Sequence, residues 1–257
     1  MDVLKAVLLG LIQGITEFLP ISSSGHLLVF KELLGFEVEH GLLFAVAVHL
    51  ATLLSIFFVF WKDLISLIVN WRDNMGYLIA IVISAIPAGI IGVLFKDYIE
   101  QVFAGELIVA GVGFLISSLL LFFAHFVPKS NGEVNLLNAI VMGVAQAIAI
   151  LPGVSRSGST ISAGLLLKVS PEKVVRFAFL MSIIPIGGAA FLEALDVSRD
   201  PVSSEEMLLV GVGFITAFVS GVVACRLMIN FVTRNKLLPF AIYCLLIGLA
   251  TLFLAIK

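Results

Sequence analysis

The sequence predicts an all-α polytopic membrane protein, with six full transmembrane helices and two re-entrant helix hairpins in an inverted-topology repeat. Three observations carry this. Hydrophobic residues make up 61% of the 257-residue chain and charged residues only 12%, against about half and about a quarter in soluble domains. The charges fall between apolar runs, six of which approach the ~20 residues that cross a hydrocarbon core. Two further apolar stretches are interrupted by proline, glycine and serine, and these two resemble each other.

Taken in order, residues 2–19 read as a helix that Pro20 and the Ser22-Ser23-Ser24-Gly25 run break, and a short apolar piece, 24–34, follows. Each piece is too short to span, so the pair reads as a hairpin that returns to its own side. Irregular backbone at that depth must face protein or a water-filled cavity, because lipid cannot satisfy its N–H and C=O groups. The first full span covers about 42–60. Residues 61–75 put Trp61, Leu64, Ile65, Ile68, Trp71 and Met75 on one helical face, the pattern of an interfacial helix anchored by tryptophans. Spans follow at about 77–96 and 106–127. The second interrupted stretch is 135–151, ending at Pro152-Gly153, with 157–168 after it. Spans at about 172–194, 207–229 and 238–256 complete the chain. Cys225 and Cys244 lie inside apolar runs and read as small packed thiols. Met1 to Pro20 lacks a basic leader and carries Gln13 and Glu17, so it reads as a retained segment rather than a signal peptide.

Gly10, Gln13, Ser22, Ser24 and Gly25 recur as Gly143, Gln146, Ser155, Ser157 and Gly158 at a constant offset of 133. The chain is therefore read as one integral membrane domain, 1–257, built from pseudo-repeats 1–128 and 134–257. One hairpin plus three spans is an odd number of crossings, so the halves must be inverted relative to each other, with their broken tips meeting near the midplane. The face reached after the first span collects Lys62, Arg72, Lys129, Lys168, Lys173, Arg176, Arg226, Arg234 and Lys236, against Lys5, Lys31, Lys96, Arg199 and Lys257 on the other. The positive-inside rule makes the first face cytoplasmic and puts both termini outside. The net charge of −2 says little about partners; a nucleic acid is not expected, and pairing as a homodimer is left open.

Chemistry concentrates at the two tips. Gln13 and Glu17 stand four residues apart and point the same way on a helix. A carboxylate at membrane depth costs at least ~2.5–3.5 kcal/mol, so Glu17 must face a cavity, meet a cation or be protonated. Ser22, Ser23, Ser24 and Gly25 offer hydroxyls and N–H groups at a helix start, where phosphate oxygens bind well. His26, in the first turn, is placed to transfer a proton or attack. In the second tip Arg156 adds a permanent charge with a fork of donors matched to phosphate, with Ser155, Ser157 and Thr160 around it and Gly153 at the turn. Converging tips would make one polar pocket between apolar walls, suited to an anionic head with a long apolar tail. His49 lines the same cavity or makes a structural hydrogen bond. His40 and His125 lie near segment ends.

"QGITEFLPISSSGH" and "PGVSRSGST" together resemble the two signatures of the undecaprenyl-diphosphate phosphatases, also called bacitracin-resistance proteins, over essentially the whole chain. The resemblance implies hydrolysis of undecaprenyl diphosphate to the monophosphate and inorganic phosphate. That reaction recycles the lipid carrier for envelope polymers in the bacterial inner membrane and needs a divalent metal. It maps the acidic motif onto Gln13 and Glu17, the serine and histidine onto Ser23 and His26, and the arginine onto Arg156. Gln13 is the amide variant of its position, which puts in doubt any scheme needing two carboxylates there. Ser23 is the expected nucleophile, activated by His26 or Glu17, with His26 itself or metal-bound water as the other routes. Arg156 clamps the phosphoryl group with Ser155, Ser157 and Thr160, and Gln13, Ser22, Ser24, Gly25 and Gly153 complete the substrate contacts. Glu17 and Gln13 would hold Mg²⁺ or Ca²⁺ through oxygen. The competing reading is a polyprenyl-phosphate transporter using the same midplane pocket.

Overall fold

The computed structural model describes residues 3–34, 41–95, 107–196 and 203–256. His40, Lys96, Arg199 and Lys257, which entered the sequence reading above, lie outside them. Among the described residues there are eleven helices and no strand beyond an isolated bridge between Gly132 and Val169. They are α1 (Val3–Phe18), α2 (Ser23–Leu34), α3 (Gly41–Val59), α4 (Trp61–Val69), α5 (Met75–Leu94) and α6 (Leu107–His125). The rest are α7 (Leu136–Ile148), α8 (Arg156–Leu166), α9 (Pro171–Asp196), α10 (Ser204–Thr233) and α11 (Leu238–Ile256).

Five of these, α5, α6, α9, α10 and α11, are long and apolar enough to cross a bilayer. The Leu43–Val59 part of α3 makes a sixth candidate if joined to α4, from which it is bent by 70°. This is a multi-pass membrane protein. The expected amphipathic helix over 61–75 is shorter than its apolar pattern suggested. It stops at Val69, Asn74 Nδ2 donates to Asn70 O at 3.0 Å across the turn, and Met75 opens α5. Side-chain amides compete for backbone groups and so end a helix that apolar periodicity alone would continue.

The packing is that of a protein dissolved in lipid. On α11, Ile242, Leu246, Leu249 and Phe253 are exposed, while Ala241, Cys244, Gly248 and Thr251 are buried. Lipid is as apolar as leucine, so large side chains gain nothing by turning inward; small residues let backbones approach and supply the attraction. α1 lies along α10, and α7 lies along α5 in the same manner. A Cβ on Gly10 would sit 2.6 Å from Gly213 O of α10, and one on Gly143 2.4 Å from Ser84 O of α5. α10 then packs on α3 as α5 packs on α9, and α3 meets α9 while α6 meets α11.

Two breaks interrupt this regularity. α1 passes to α2 through residues 19–22, and α7 passes to α8 through the longer turn 149–155. Both new helices start from serine: Ser22 Oγ accepts from Gly25 N at 3.3 Å, and Ser155 Oγ from Gly158 N at 3.0 Å. Each satisfies an amide that the helix leaves unpaired. Positive φ falls at Ser22 (68°) in the first turn and at Gly153 (84°) in the second.

Candidate active site

Glu17 occupies the last turn of α1, 8% exposed, and both of its oxygens are engaged. Oε2 accepts from Gln13 Nε2 at 3.0 Å, one helical turn back, and from Ser23 Oγ at 2.7 Å, across the first break. Oε1 pairs with Arg156 Nη2 from the start of α8. The two tips therefore meet. They are tied again where Ser157 Oγ donates to Leu19 O at 3.1 Å, and Gly158 packs close to Pro20.

The remaining hydroxyls repeat between the tips. Ser22 and Ser24 Oγ are 3.3 Å apart, as are Ser155 and Ser157 Oγ. Thr160 Oγ1 donates back to Arg156 O at 2.9 Å. A small crevice lies where the tips meet α3 and α9, with Glu17, Arg156, Ser157, Thr160 and Ser182 as its polar part and Phe18, Ile56, Ala178 and Phe179 as apolar walls. Arg156 keeps 22% of its side chain exposed, so the guanidinium borders open space rather than sealed protein. The Arg156 and Ser157 amides belong to the first turn of α8, ahead of its first intrahelical bond, and Ser159 N to Ser155 O at 2.8 Å begins the ladder. Guanidinium, hydroxyls and a helix N-terminus thus converge on one small volume, an arrangement that holds phosphate oxygens.

His26 stands apart from this group. It is 2% exposed; Nδ1 bonds Ser22 O at 2.7 Å, Nε2 bonds Tyr243 OH at 2.6 Å, and neither nitrogen reaches Glu17 or Ser23. His49 Nδ1 bonds Ala45 O of its own helix at 2.8 Å, and its ring lies within electrostatic reach of Glu17. Gln13 is fully buried, and among the described residues its Oε1 has no donor. An unpartnered amide oxygen beside a carboxylate is what a hard cation takes up, so Gln13 and Glu17 fit a divalent ion as oxygen donors. Among the described residues no group of three His, Cys, Asp or Glu side chains gathers, so any such ion would lean on substrate or water for its other ligands.

Two residues essential to this geometry were missed in the sequence. Ser117 of α6 accepts from Ser155 N at 2.7 Å and donates to Gly153 O at 3.1 Å, pinning the second tip. Tyr243 of α11 pins the first through His26. A serine pair, Ser117-Ser118, in an apolar run carries no motif that names its partner, and one tyrosine among three reads as an interfacial anchor. Gly153 packs under the second turn, where a Cβ would meet Ala110 O at 2.0 Å.

A helical membrane bundle whose two buried tips join a carboxylate, a serine and an arginine belongs to the class of integral membrane proteins that handle a phosphate-bearing lipid. The particular family follows from comparison with known proteins. The family described as "Bacitracin resistance protein BacA" matches residues 6–250, and the chain belongs to it. A protein of Bacteroides thetaiotaomicron named "Undecaprenyl-diphosphatase" is 44% identical, with 98% of each chain covered. One of the same name from Parabacteroides distasonis is 43% identical over 96% of each. A third, from Methanosphaera stadtmanae, is 35% identical over 100% of this chain and 99% of its own.

Proposed function

We propose that this chain hydrolyses undecaprenyl diphosphate to undecaprenyl phosphate and inorganic phosphate, and that the reaction takes place where the two tips meet. Family membership over residues 6–250 supports the activity, as do relatives of that name at 42–44% identity. The observation that carries the site is the contact of Ser23 and Arg156, from different tips, with the one carboxylate of Glu17. Recycling of the lipid carrier and bacitracin resistance follow from this activity and family.

Ser23 Oγ already donates to Glu17 Oε2, so Glu17 is placed to take its proton as the oxygen attacks the terminal phosphorus. The bond from phosphorus to the bridging oxygen breaks, and the lipid monophosphate departs. Arg156 exchanges the Glu17 carboxylate for the phosphoryl oxygens, helped by Ser155, Ser157, Thr160 and the first amides of α8, where charge grows in the transition state. Glu17 passes the Ser23 proton to the departing lipid phosphate and, ionised again, takes one from a water whose oxygen attacks the phosphorus on Ser23. The bond from phosphorus to Ser23 Oγ breaks, Glu17 returns the proton to that oxygen, and inorganic phosphate leaves. Gln13 Oε1 and Glu17 would hold a divalent cation, which when bound supplies charge neutralisation for the diphosphate. His26, with both nitrogens engaged elsewhere, serves the hairpin rather than the attack.

The finer architecture belongs to the same proposal. α1–α2 and α7–α8 are re-entrant hairpins, and six spans carry them in two inverted halves, 1–128 and 134–257. The support is in the packing, where each pairing of one half has its counterpart in the other: α1 on α10 with α7 on α5, and α10 on α3 with α5 on α9. Both termini lie on the non-cytoplasmic side of the bacterial inner membrane in this reading, which the excess of basic residues on the opposite face supports. Reporter fusions at either terminus read that orientation.

The activity is tested by phosphate release from a polyprenyl diphosphate, using protein purified in detergent. Detergent leaves no compartments, so a protein that only moved the lipid would release none. Such a null result with folded wild type would sink the reading.

A further inference from the structure

The reaction requires Ser23 Oγ to keep its direction toward Glu17, yet the residue before it is held in an unfavourable conformation. Ser22 has φ 68°, a left-handed value that is unfavourable for a residue with a Cβ. Something must over-determine that turn. Ser22 O accepts twice from His26, at 3.2 Å from its backbone N and at 2.7 Å from Nδ1. The imidazole is fixed in turn between Phe114, edge-on with centroids 5.2 Å apart, and Tyr243, stacked at 5.6 Å with planes 5° apart.

A carbonyl only accepts, so Nδ1 carries the proton. Nε2 is then the acceptor, and Tyr243 OH, 2.6 Å away, donates to it. The last helix of the chain thus selects the tautomer of a histidine 217 positions earlier. Cys244, the next residue, donates to Pro20 O at 3.5 Å, a second hold on the same turn. α6 treats the other tip alike through Ser117, and Ser118 Oγ donates to Ala241 O at 2.7 Å, locking α6 to α11.

We infer that Tyr243 is a positioning residue of the hydrolysis: through the Nδ1–H tautomer of His26 it fixes the Ser22 carbonyl, and so the aim of Ser23 Oγ at Glu17. The inference rests on the reading of Ser23 given above. It also assigns the Nε2 lone pair of His26 to Tyr243, which removes it from the list of nucleophiles. A purely structural tyrosine would act through its ring, and phenylalanine keeps that ring stacked on the imidazole.

Tyr243→Phe is therefore the test, beside Tyr77→Phe, whose hydroxyl on α5 is buried without a hydrogen-bond partner among the described residues. Hydrolysis kinetics, thermal unfolding and ¹⁵N NMR of histidine-labelled protein are recorded for each. Wild type shows His26 as the Nδ1–H tautomer alone, and Tyr243→Phe a mixture. Tyr243→Phe loses kcat by about tenfold, the scale of one well-placed hydrogen bond, with KM within about twofold and an unchanged unfolding midpoint; Tyr77→Phe matches wild type. The inference falls if wild-type His26 is protonated on Nε2, a result that needs no variant to fold. It falls equally if Tyr243→Phe keeps its kcat, if Tyr77→Phe loses as much, or if the loss comes only with a lowered midpoint. A wild type that releases no phosphate while His26 keeps its tautomer overturns the reaction itself, and this role with it.

Discussion

Arg156 and Glu17, 139 residues apart in sequence, form an ion pair in the interior of a lipid-facing bundle. Neither charge is tolerable alone at that depth, and their pairing settles both. In the proposed reaction this pair is the resting state, because each group takes a second role once a diphosphate enters. Arg156→Lys keeps the charge but loses the planar fork that grips two oxygens. It should lower kcat/KM by about a hundredfold, measured as phosphate release, with the protein still folded. Near-normal turnover would show that a point charge suffices.

Glu17→Gln removes the base and leaves Arg156 without its partner. Two effects follow: turnover falls by at least about a thousandfold, the combined scale of lost general-base catalysis and a misplaced clamp, and the bundle weakens, by less than the about 3–5 kcal/mol of a sealed pair, because Arg156 borders open space. A double variant, Glu17→Gln with Arg156→Gln, should recover stability relative to Glu17→Gln and none of the activity. Thermal unfolding beside the hydrolysis assay separates the two effects.

Ser23→Ala deletes a hydroxyl that is half-buried and, among the described residues, bonded only to Glu17, so it should fold normally and lose activity by about a thousandfold. Acid-quenched wild type should carry phosphate on Ser23, stable to acid as a phosphate ester. Full activity of Ser23→Ala would move the attack to water.

The six apolar runs were legible because hydrophobic length is a direct statement about bilayer thickness, and α5, α6, α9, α10 and α11 fall where the runs lie. The tips were legible because charges and serines in an apolar stretch demand a reason, and Glu17, Ser23 and Arg156 are indeed in contact. His26 sits among them in sequence but not in space, because a residue one helical turn past Ser22 points back at its carbonyl. Ser117 and Tyr243 were illegible for the opposite reason: their partners are backbone and ring atoms, 36 and 217 positions away, and pairings of that kind leave no local pattern.

Gln13 Oε1 has no donor among the described residues; Gln13→Leu, close in size, removes that oxygen together with the Nε2 donor to Glu17, so the metal requirement rather than the rate reads the oxygen. Chelator should suppress wild-type hydrolysis, with Mg²⁺ or Ca²⁺ restoring it. Gln13→Leu should need about tenfold more metal for half-maximal rate, while Gln13→Glu, with a second charge for a hard cation, should need less. Equal metal titration curves for the three proteins would place the ion elsewhere.

Gly143 tests whether the close contact of α7 with α5 matters in itself. Its Cβ position is 2.4 Å from Ser84 O and 2.9 Å from Ser84 Cα, and backbone cannot step aside as a side-chain end can. Gly143→Ala must push the helices apart, at about 1–3 kcal/mol for overpacking, and so lower the unfolding midpoint. Gly188 on α9 supplies the contrast, since among the described residues nothing outside its own helix backbone lies within 4 Å of its Cβ position. There alanine only reduces the freedom of the unfolded chain, so Gly188→Ala should hold or raise the midpoint, by up to about 1 kcal/mol. Because α7 leads directly into the turn that presents Arg156, Gly143→Ala should also lower kcat, whereas Gly188→Ala leaves it unchanged. If both alanines behaved alike, the close packing of α7 on α5 would have no special part in aligning the second tip.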